Sequence, residues 1–203
     1  MEKSALQKAR AAYQPKLPKA LQGAVKVMEG APTQSVDNQE EIKQLFPNTY
    51  GMPLVEFVPA ESETTKAMNV GVILSGGQAP GGHNVISGLF DEVKKLNPEN
   101  RLYGFLMGPG GLVDHKYIEI TEELIADYRN TGGFDLIGSG RTKLEEDLSL
   151  RRVSKSCVSS ISRLSLLLVV TTQTPTLACW LNTMLPRTMA YRLSVAPRPS
   201  MAT

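Results

Sequence analysis

A short apolar run, Val70-Gly71-Val72-Ile73-Leu74, passes directly into Ser75-Gly76-Gly77-Gln78-Ala79-Pro80-Gly81-Gly82. Ile86, Leu89, Phe90 and Val93 then recur at helical spacing, up to Asn97-Pro98. The first segment is β-branched and bounded by turn residues, which predicts a buried strand. The last predicts an amphipathic helix, ended where proline removes a donor and restricts the residue before it. A fully apolar strand has to be covered on both faces, and in α/β chains helices do the covering. This junction therefore limits the chain to a layered sheet with helices packed on it.

The same grammar continues downstream. Leu102 to Leu106 predicts a second strand, and Gly108-Pro109-Gly110-Gly111 a flexible loop. Thr121 can cap a helix through Glu122, Glu123, Leu124 and Ile125 toward Tyr128, with acids in the first turn where the helix dipole favours them. Phe134 to Ile137 predicts a third strand, ending in Gly138-Ser139-Gly140-Arg141. Strand–helix–strand alternation implies a Rossmann-like parallel sheet covered by helices.

The flanking regions read differently. Up to about Lys66, prolines at 15, 18, 32, 47, 53 and 59 break the chain into short pieces. A short helix from Asn38 to Leu45 and a strand from Leu54 to Val58 are expected there, in an irregular extension that wraps a neighbouring domain or subunit. From about Leu148 periodicity is lost. All 20 acidic residues precede position 148, and the last 56 positions contain neither Asp nor Glu. The expected organisation is an extension at 1–66, an α/β domain at 67–147, and an aberrant basic, disordered tail at 148–203.

Composition excludes several functions. With 22 basic against 20 acidic residues, no global charge argues for nucleic acid or a membrane surface. Two cysteines cannot staple a secreted mini-domain, and no Cys/His cluster has zinc spacing. Leu164 to Val170 is too short to span a bilayer, and Met1-Glu2-Lys3-Ser4 lacks a signal-peptide core. A soluble, cytoplasmic protein is the expectation.

The glycine loop carries the chemistry. It sits between a strand and a helix, at the carboxyl edge where ligands bind in such sheets. Glycines let the backbone approach a phosphate, and a helix N-terminus offers unpaired N–H groups. A tight strand–helix turn without a ligand is the alternative. The loop is neither a Walker A motif nor GxGxxG, and His83 reads as an ordinary loop or cap histidine.

The stretch from Val72 through Gly81-Gly82-His83-Asn84 to Gly88 closely resembles the first phosphate loop of phosphofructokinases. Its Gly-Gly-His-Asn ending is similar to the long, pyrophosphate-dependent type. The resemblance extends to Gln44-Leu45-Phe46-Pro47-Asn48, Tyr103-Gly104-Phe105, Tyr128-Arg129-Asn130-Thr131-Gly132-Gly133-Phe134-Asp135 and Gly138-Ser139-Gly140-Arg141-Thr142-Lys143. It covers roughly the first 145 residues. It implies a partial phosphofructokinase fold and magnesium-dependent phosphoryl transfer from pyrophosphate to fructose 6-phosphate, giving fructose 1,6-bisphosphate in glycolysis. It also implies a homo-oligomer. Gly76 and Gly77 would contact the phosphoryl donor through backbone, with Arg141 and Lys143 near its phosphates. Such transfer is mainly positioning and charge neutralisation, and it needs a base for the sugar hydroxyl.

The family's magnesium carboxylates lie in Gly-Gly-Asp-Asp-Ser and its base in Thr-Ile-Asp-Gly-Asp. Neither stretch occurs in this chain, so it offers no catalytic aspartate and no metal ligand. Both belong where the acid-free tail stands. When each codon is re-read from the third base of one and the first two of the next, the standard code permits Gly-Gly-Asp-Asp-Ser from Leu168 onward. It also permits Thr-Ile-Asp-Gly-Asp at the end. Cys179-Trp180 then forces Leu, while Met189-Ala190 and Met201-Ala202 each force Gly. The tail reads as a frameshift beginning between about Leu144 and Leu166. On that reading Cys157 and Cys179 have no role, Arg151, Arg152 and Lys155 are solvated charges, and Leu164 to Val170 is a chance strand with an aggregation risk.

Two readings follow from different classes. One is a pyrophosphate–fructose 6-phosphate phosphotransferase. The other, favoured for the chain as written, is a non-catalytic half-domain that binds phosphate or joins a full-length subunit. An ATP-dependent phosphofructokinase and a regulatory sister subunit stay open. A standalone nucleotide module is weaker, for want of a dinucleotide fingerprint.

Overall fold

The computed structural model describes residues 3–19, 22–61, 66–78, 80–142 and the backbone of 164–170. These fall into two units, residues 3–13 with 66–142 and 164–170, and residues 14–61.

The first unit is a four-stranded sheet in the order β5-β4-β3-β6. Its centre is β3 (Asn69–Ser75), in which every residue after Asn69 is buried. The backbone of β6 (Leu164–Val170) pairs parallel along the whole length of β3, from Asn69↔Leu164 to Ser75↔Val170. On the other flank β4 (Arg101–Phe105) pairs parallel from Asn69↔Arg101 to Val72↔Gly104. The expected parallel arrangement therefore holds at the centre. It is bounded by β5 (Tyr117–Ile120), an antiparallel edge strand that the alternation did not announce.

Helix α3 (Gly82–Leu96) buries Ile86, Phe90 and Val93 along one stripe, as their spacing predicts. They meet Val70, Val72, Leu74, Leu102, Ile120 and Ile125 in one core, and each such side chain contributes about 1.5–3 kcal/mol on burial. A buried polar staple closes the helix end. Asn100 Nδ2 donates to Val93 O at 2.8 Å, and its Oδ1 accepts from Met68 N–H at 2.8 Å, so one side chain ties the end of α3 to the entry of β3.

Two expectations need correction. Gly108-Pro109-Gly110-Gly111 is not a flexible loop, because it opens a short helix, α4 (Pro109–Val113). Proline at its start presets the helical φ. A Cβ on Gly111 would strike the Leu106 and Lys116 carbonyls, so only glycine fits beneath it. Phe134 to Ile137 is not a strand. Residues 135–137 form a turn, although Leu136 and Ile137 are buried in the core as strand residues would be. Leu136 N–H is taken by His83 Nε2 and Ile137 O by Met107 N–H, and left-handed Gly132 and Gly138 bend the chain on either side. Among the described residues its main chain pairs with the sheet through the parallel bridge Ser75↔Gly140.

Helix α5 (Glu122–Tyr128) starts at Thr121, whose hydroxyl accepts from Leu124 N–H as expected. The N-terminal helix α1 (Ala5–Ala12) was not anticipated. Ser4 and Gln7 form a capping box at its start. Asn130 Nδ2 donates to the Arg10 and Tyr13 carbonyls at its end.

The second unit holds β1 (Val25–Pro32), α2 (Gln39–Leu45) and β2 (Pro53–Pro59). The last two match the helix and strand expected there, and β1 was missed. β1 and β2 pair antiparallel from Val25↔Pro59 to Pro32↔Pro53, with a register shift between Glu29 and Pro32. Every residue of β1 is exposed. The disordered tail expected at 148–203 lies outside the described residues, apart from β6.

Candidate functional site

Three glycine-bearing segments converge at the carboxyl edge of β3. The chain leaves β3 through Gly76, whose φ of 110° suits glycine. Gly76 N–H donates to Gly140 O at 2.9 Å, and Gly140 N–H donates back to Leu74 O at 3.3 Å. Gly108 lies against the same point. A Cβ there would stand 2.5 Å from Gly140 N and 2.8 Å from Leu74 O, and one on Gly140 would strike the Met107 carbonyl. Main chain thus meets main chain with no room for side chains.

Arg141 follows immediately. Its Nη2 would stand 3.0 Å from a Cβ on Gly77, so the guanidinium lies over the glycine loop. Arg141 is exposed, and among the described residues no carboxylate forms an ion pair with it. Thr142 Oγ1 stands equally close to the Cβ position of Gly110, at the start of α4. Of the four residues singled out for the phosphoryl donor, Gly76, Gly77 and Arg141 are brought together. Lys143 lies outside the described residues.

The main-chain donors are less open than the sequence suggests. Gly76 N–H is engaged by Gly140. At the helix end Gly81 N–H donates to Gly132 O at 2.7 Å and His83 N–H to Gly133 O at 2.8 Å. The start of α3 is therefore closed by a second glycine pair and does not present these N–H groups to a ligand.

His83 is no surface cap. It is 2% exposed, it accepts from Leu136 N–H at Nε2, and its Nδ1 stands 2.6 Å from Thr131 Oγ1. Burial holds its pKa below the ordinary histidine value, and the charge of Asp135 offsets part of that. Nothing local in the sequence points to this network, since its members lie about fifty positions apart. No helix among the described residues is long and apolar enough to cross a membrane.

No family model matches the chain. The chain is 65% identical over 147 residues to pyrophosphate--fructose 6-phosphate 1-phosphotransferase from Porphyromonas gingivalis, covering 72% of this chain and 27% of that protein. It is 51% identical over 150 residues to the enzyme of the same name from Entamoeba histolytica, covering 72% and 28%. It is 50% identical over 131 residues to the beta 1 subunit from Arabidopsis thaliana, covering 64% and 23%. The chain thus spans about a quarter of the length of the curated relatives it matches. Among solved structures, pyrophosphate-dependent phosphofructokinase from Nitrosospira multiformis superposes with a TM-score of 0.50 at 17% identity, over 66% of this chain and 34% of that one. The N-terminal part of this chain is thus similar in sequence to pyrophosphate--fructose 6-phosphate 1-phosphotransferases and shares the fold of the phosphofructokinases.

Proposed function

We propose that the junction of Gly76, Gly77 and Arg141 is the phosphoryl-donor half of a pyrophosphate–fructose 6-phosphate phosphotransferase site, to which the resemblance adds Lys143. Pyrophosphate is the donor and fructose 6-phosphate the acceptor in the complete enzyme. The observation that carries this reading is the Arg141 guanidinium lying over Gly77, where a bare backbone and a cation face the same space. A glycine surface lets a polyanion approach closely, and a guanidinium matches phosphate oxygens in bidentate fashion. Gly76 N–H is committed to Gly140, so Gly76 shapes the loop rather than offering that donor to a ligand.

The chain as written binds the donor and does not complete the reaction. Phosphoryl transfer needs a cation bridging the phosphates and a carboxylate to take the hydroxyl proton. Among the described residues no three His, Cys, Asp or Glu side chains stand close enough to hold a metal ion. The described residues therefore do not fit the magnesium that the resemblance implies, and no step is derived through it. No Asp or Glu occurs beyond Asp147. A frameshift in the tail accounts for that gap.

Calorimetric titration of the chain with pyrophosphate tests the site. Arg141→Ala is expected to weaken binding about ten- to a hundredfold, the range of about 1.5–3 kcal/mol for a hydrogen bond to a charged group. Unchanged affinity in that variant would remove the site. Turnover of fructose 6-phosphate with pyrophosphate and magnesium by the unaltered chain would overturn the non-catalytic reading. Sequencing the gene across codons 140 to 170 tests the frameshift directly.

A further inference from the structure

The loop from β3 into α3 is tied at both ends by one later stretch of chain. At the strand end the tie is Gly76 to Gly140, and at the helix end it is Gly81 and His83 to Gly132 and Gly133. Between these ties the stretch is fastened by the His83 side chain. Leu136 N–H donates to Nε2 at 3.0 Å, so Nε2 carries a lone pair and the ring proton sits on Nδ1. Nδ1–H then donates to Thr131 Oγ1 at 2.6 Å, and that hydroxyl donates to Tyr128 O at 2.7 Å. A Cβ on Gly133 would stand 2.6 Å from His83 Cε1, so glycine allows the main chain to close on the ring.

One neighbour does not suit the neutral ring. Asp135 Oδ1 stands 3.1 Å from Nε2, where it meets a lone pair instead of a proton. A proton on Nε2 would reverse both contacts. It would turn N–H toward Asp135 and leave the Leu136 amide, which is buried, without an acceptor. Among the described residues, the titratable groups facing the ring are Asp135 and Tyr128, whose ring lies edge-on at 4.9 Å. Arg129, the next charge along, is turned away onto Asp91.

We infer that His83 is a positioning residue for the phosphate loop, a latch held by its neutral Nδ1–H form and released when Nε2 takes a proton and pairs with Asp135. Release loosens residues 131–136, and with them the arm that ends in Gly140 and Arg141. The inference rests on the reading of that junction as a pyrophosphate site. The sign follows from burial. A histidine held below its ordinary value favours the neutral form in the folded chain. The stability it adds is complete above the unfolded value near 6.5 and is lost as the pH falls through the lower folded value.

The test uses the full chain and its Asp135→Asn variant. The Asp135 side chain is 77% exposed, so this change spares the fold. Long-range nitrogen–proton NMR reads the ring tautomer. Amide exchange at Leu136 and Gly81, and titration with inorganic pyrophosphate, are followed from about pH 8 to pH 5, across the histidine range. The expected result is the Nδ1–H tautomer at neutral pH, with both amides losing protection together as the ring titrates. Pyrophosphate affinity falls about fivefold over the same interval, the equivalent of one hydrogen bond of about 1 kcal/mol. In Asp135→Asn the amide and affinity midpoints both move to lower pH, because the carboxylate no longer favours the cation. Comparing the two proteins at each pH cancels the titration of pyrophosphate itself. An Nε2–H tautomer at neutral pH, or midpoints that Asp135→Asn leaves unmoved, overturns the latch. If pyrophosphate binds at no pH, the site reading fails, and the latch is then judged on amide exchange alone.

Discussion

β3 and the β1–β2 ribbon are built from similar residues and meet opposite fates. Val70, Val72 and Leu74 are buried between two parallel neighbours and α3, whereas Val27, Met28, Leu54, Val55 and Phe57 stay exposed on a two-stranded ribbon. The difference lies in the partners. A strand paired on both flanks and covered by a helix turns apolar content into stability, and an isolated two-stranded ribbon is marginal in water. Local β-propensity cannot distinguish the two.

The sharpest way to break this comparison is to truncate one apolar side chain in each unit. Ile86→Ala, at a position with 0% exposure, is expected to cost the first unit about 2–5 kcal/mol. Phe57→Ala, where the side chain is 57% exposed, is expected to cost the ribbon under about 1 kcal/mol. Hydrogen exchange read residue by residue separates the units, and equal losses would erase the distinction. A smaller effect is expected from Asn100→Ala. It leaves Met68 N–H without its acceptor, leaves Val93 O with only its bond from Asn97 N–H, and costs about 1–3 kcal/mol, measured by denaturant unfolding of the core amides. Smallest is Arg129→Met, which removes a bidentate pair with Asp91 at 2.6 and 2.8 Å. Asp91 is half in water, so a loss under about 1 kcal/mol in the same measurement is expected. A larger loss would mean that surface charge, beside buried apolar area, also separates the two units.

Legibility in the sequence did not follow that divide, since α2 and β2 of the second unit were expected too. β3, α3, β4 and the Thr121-capped α5 were readable because their apolar periods report a local geometry. β1 was missed because Lys26 and Glu29 interrupt its pattern and its exposed residues obey no buried face. α4 was mistaken for a loop because three glycines hide the packing that forces them, which appears only once Leu106 and Lys116 are in place. Phe134 to Ile137 looked like a strand because Leu136 and Ile137 are core residues. The donor and acceptor that hold them in a turn come from His83 and Met107, remote in sequence. The site divides likewise. The resemblance picked out Gly76, Gly77 and Arg141, but the closure of the α3 N-terminus by Gly132 and Gly133 is a long-range fact.

The unbroken pairing of β6 with β3 carries a further lesson. A ladder of amides and carbonyls is blind to the side chains hanging from it, so that flank of β3 is a generic berth. An extended apolar segment of suitable length can moor there. The same indifference would let a strand from another molecule take the berth whenever the resident one is absent.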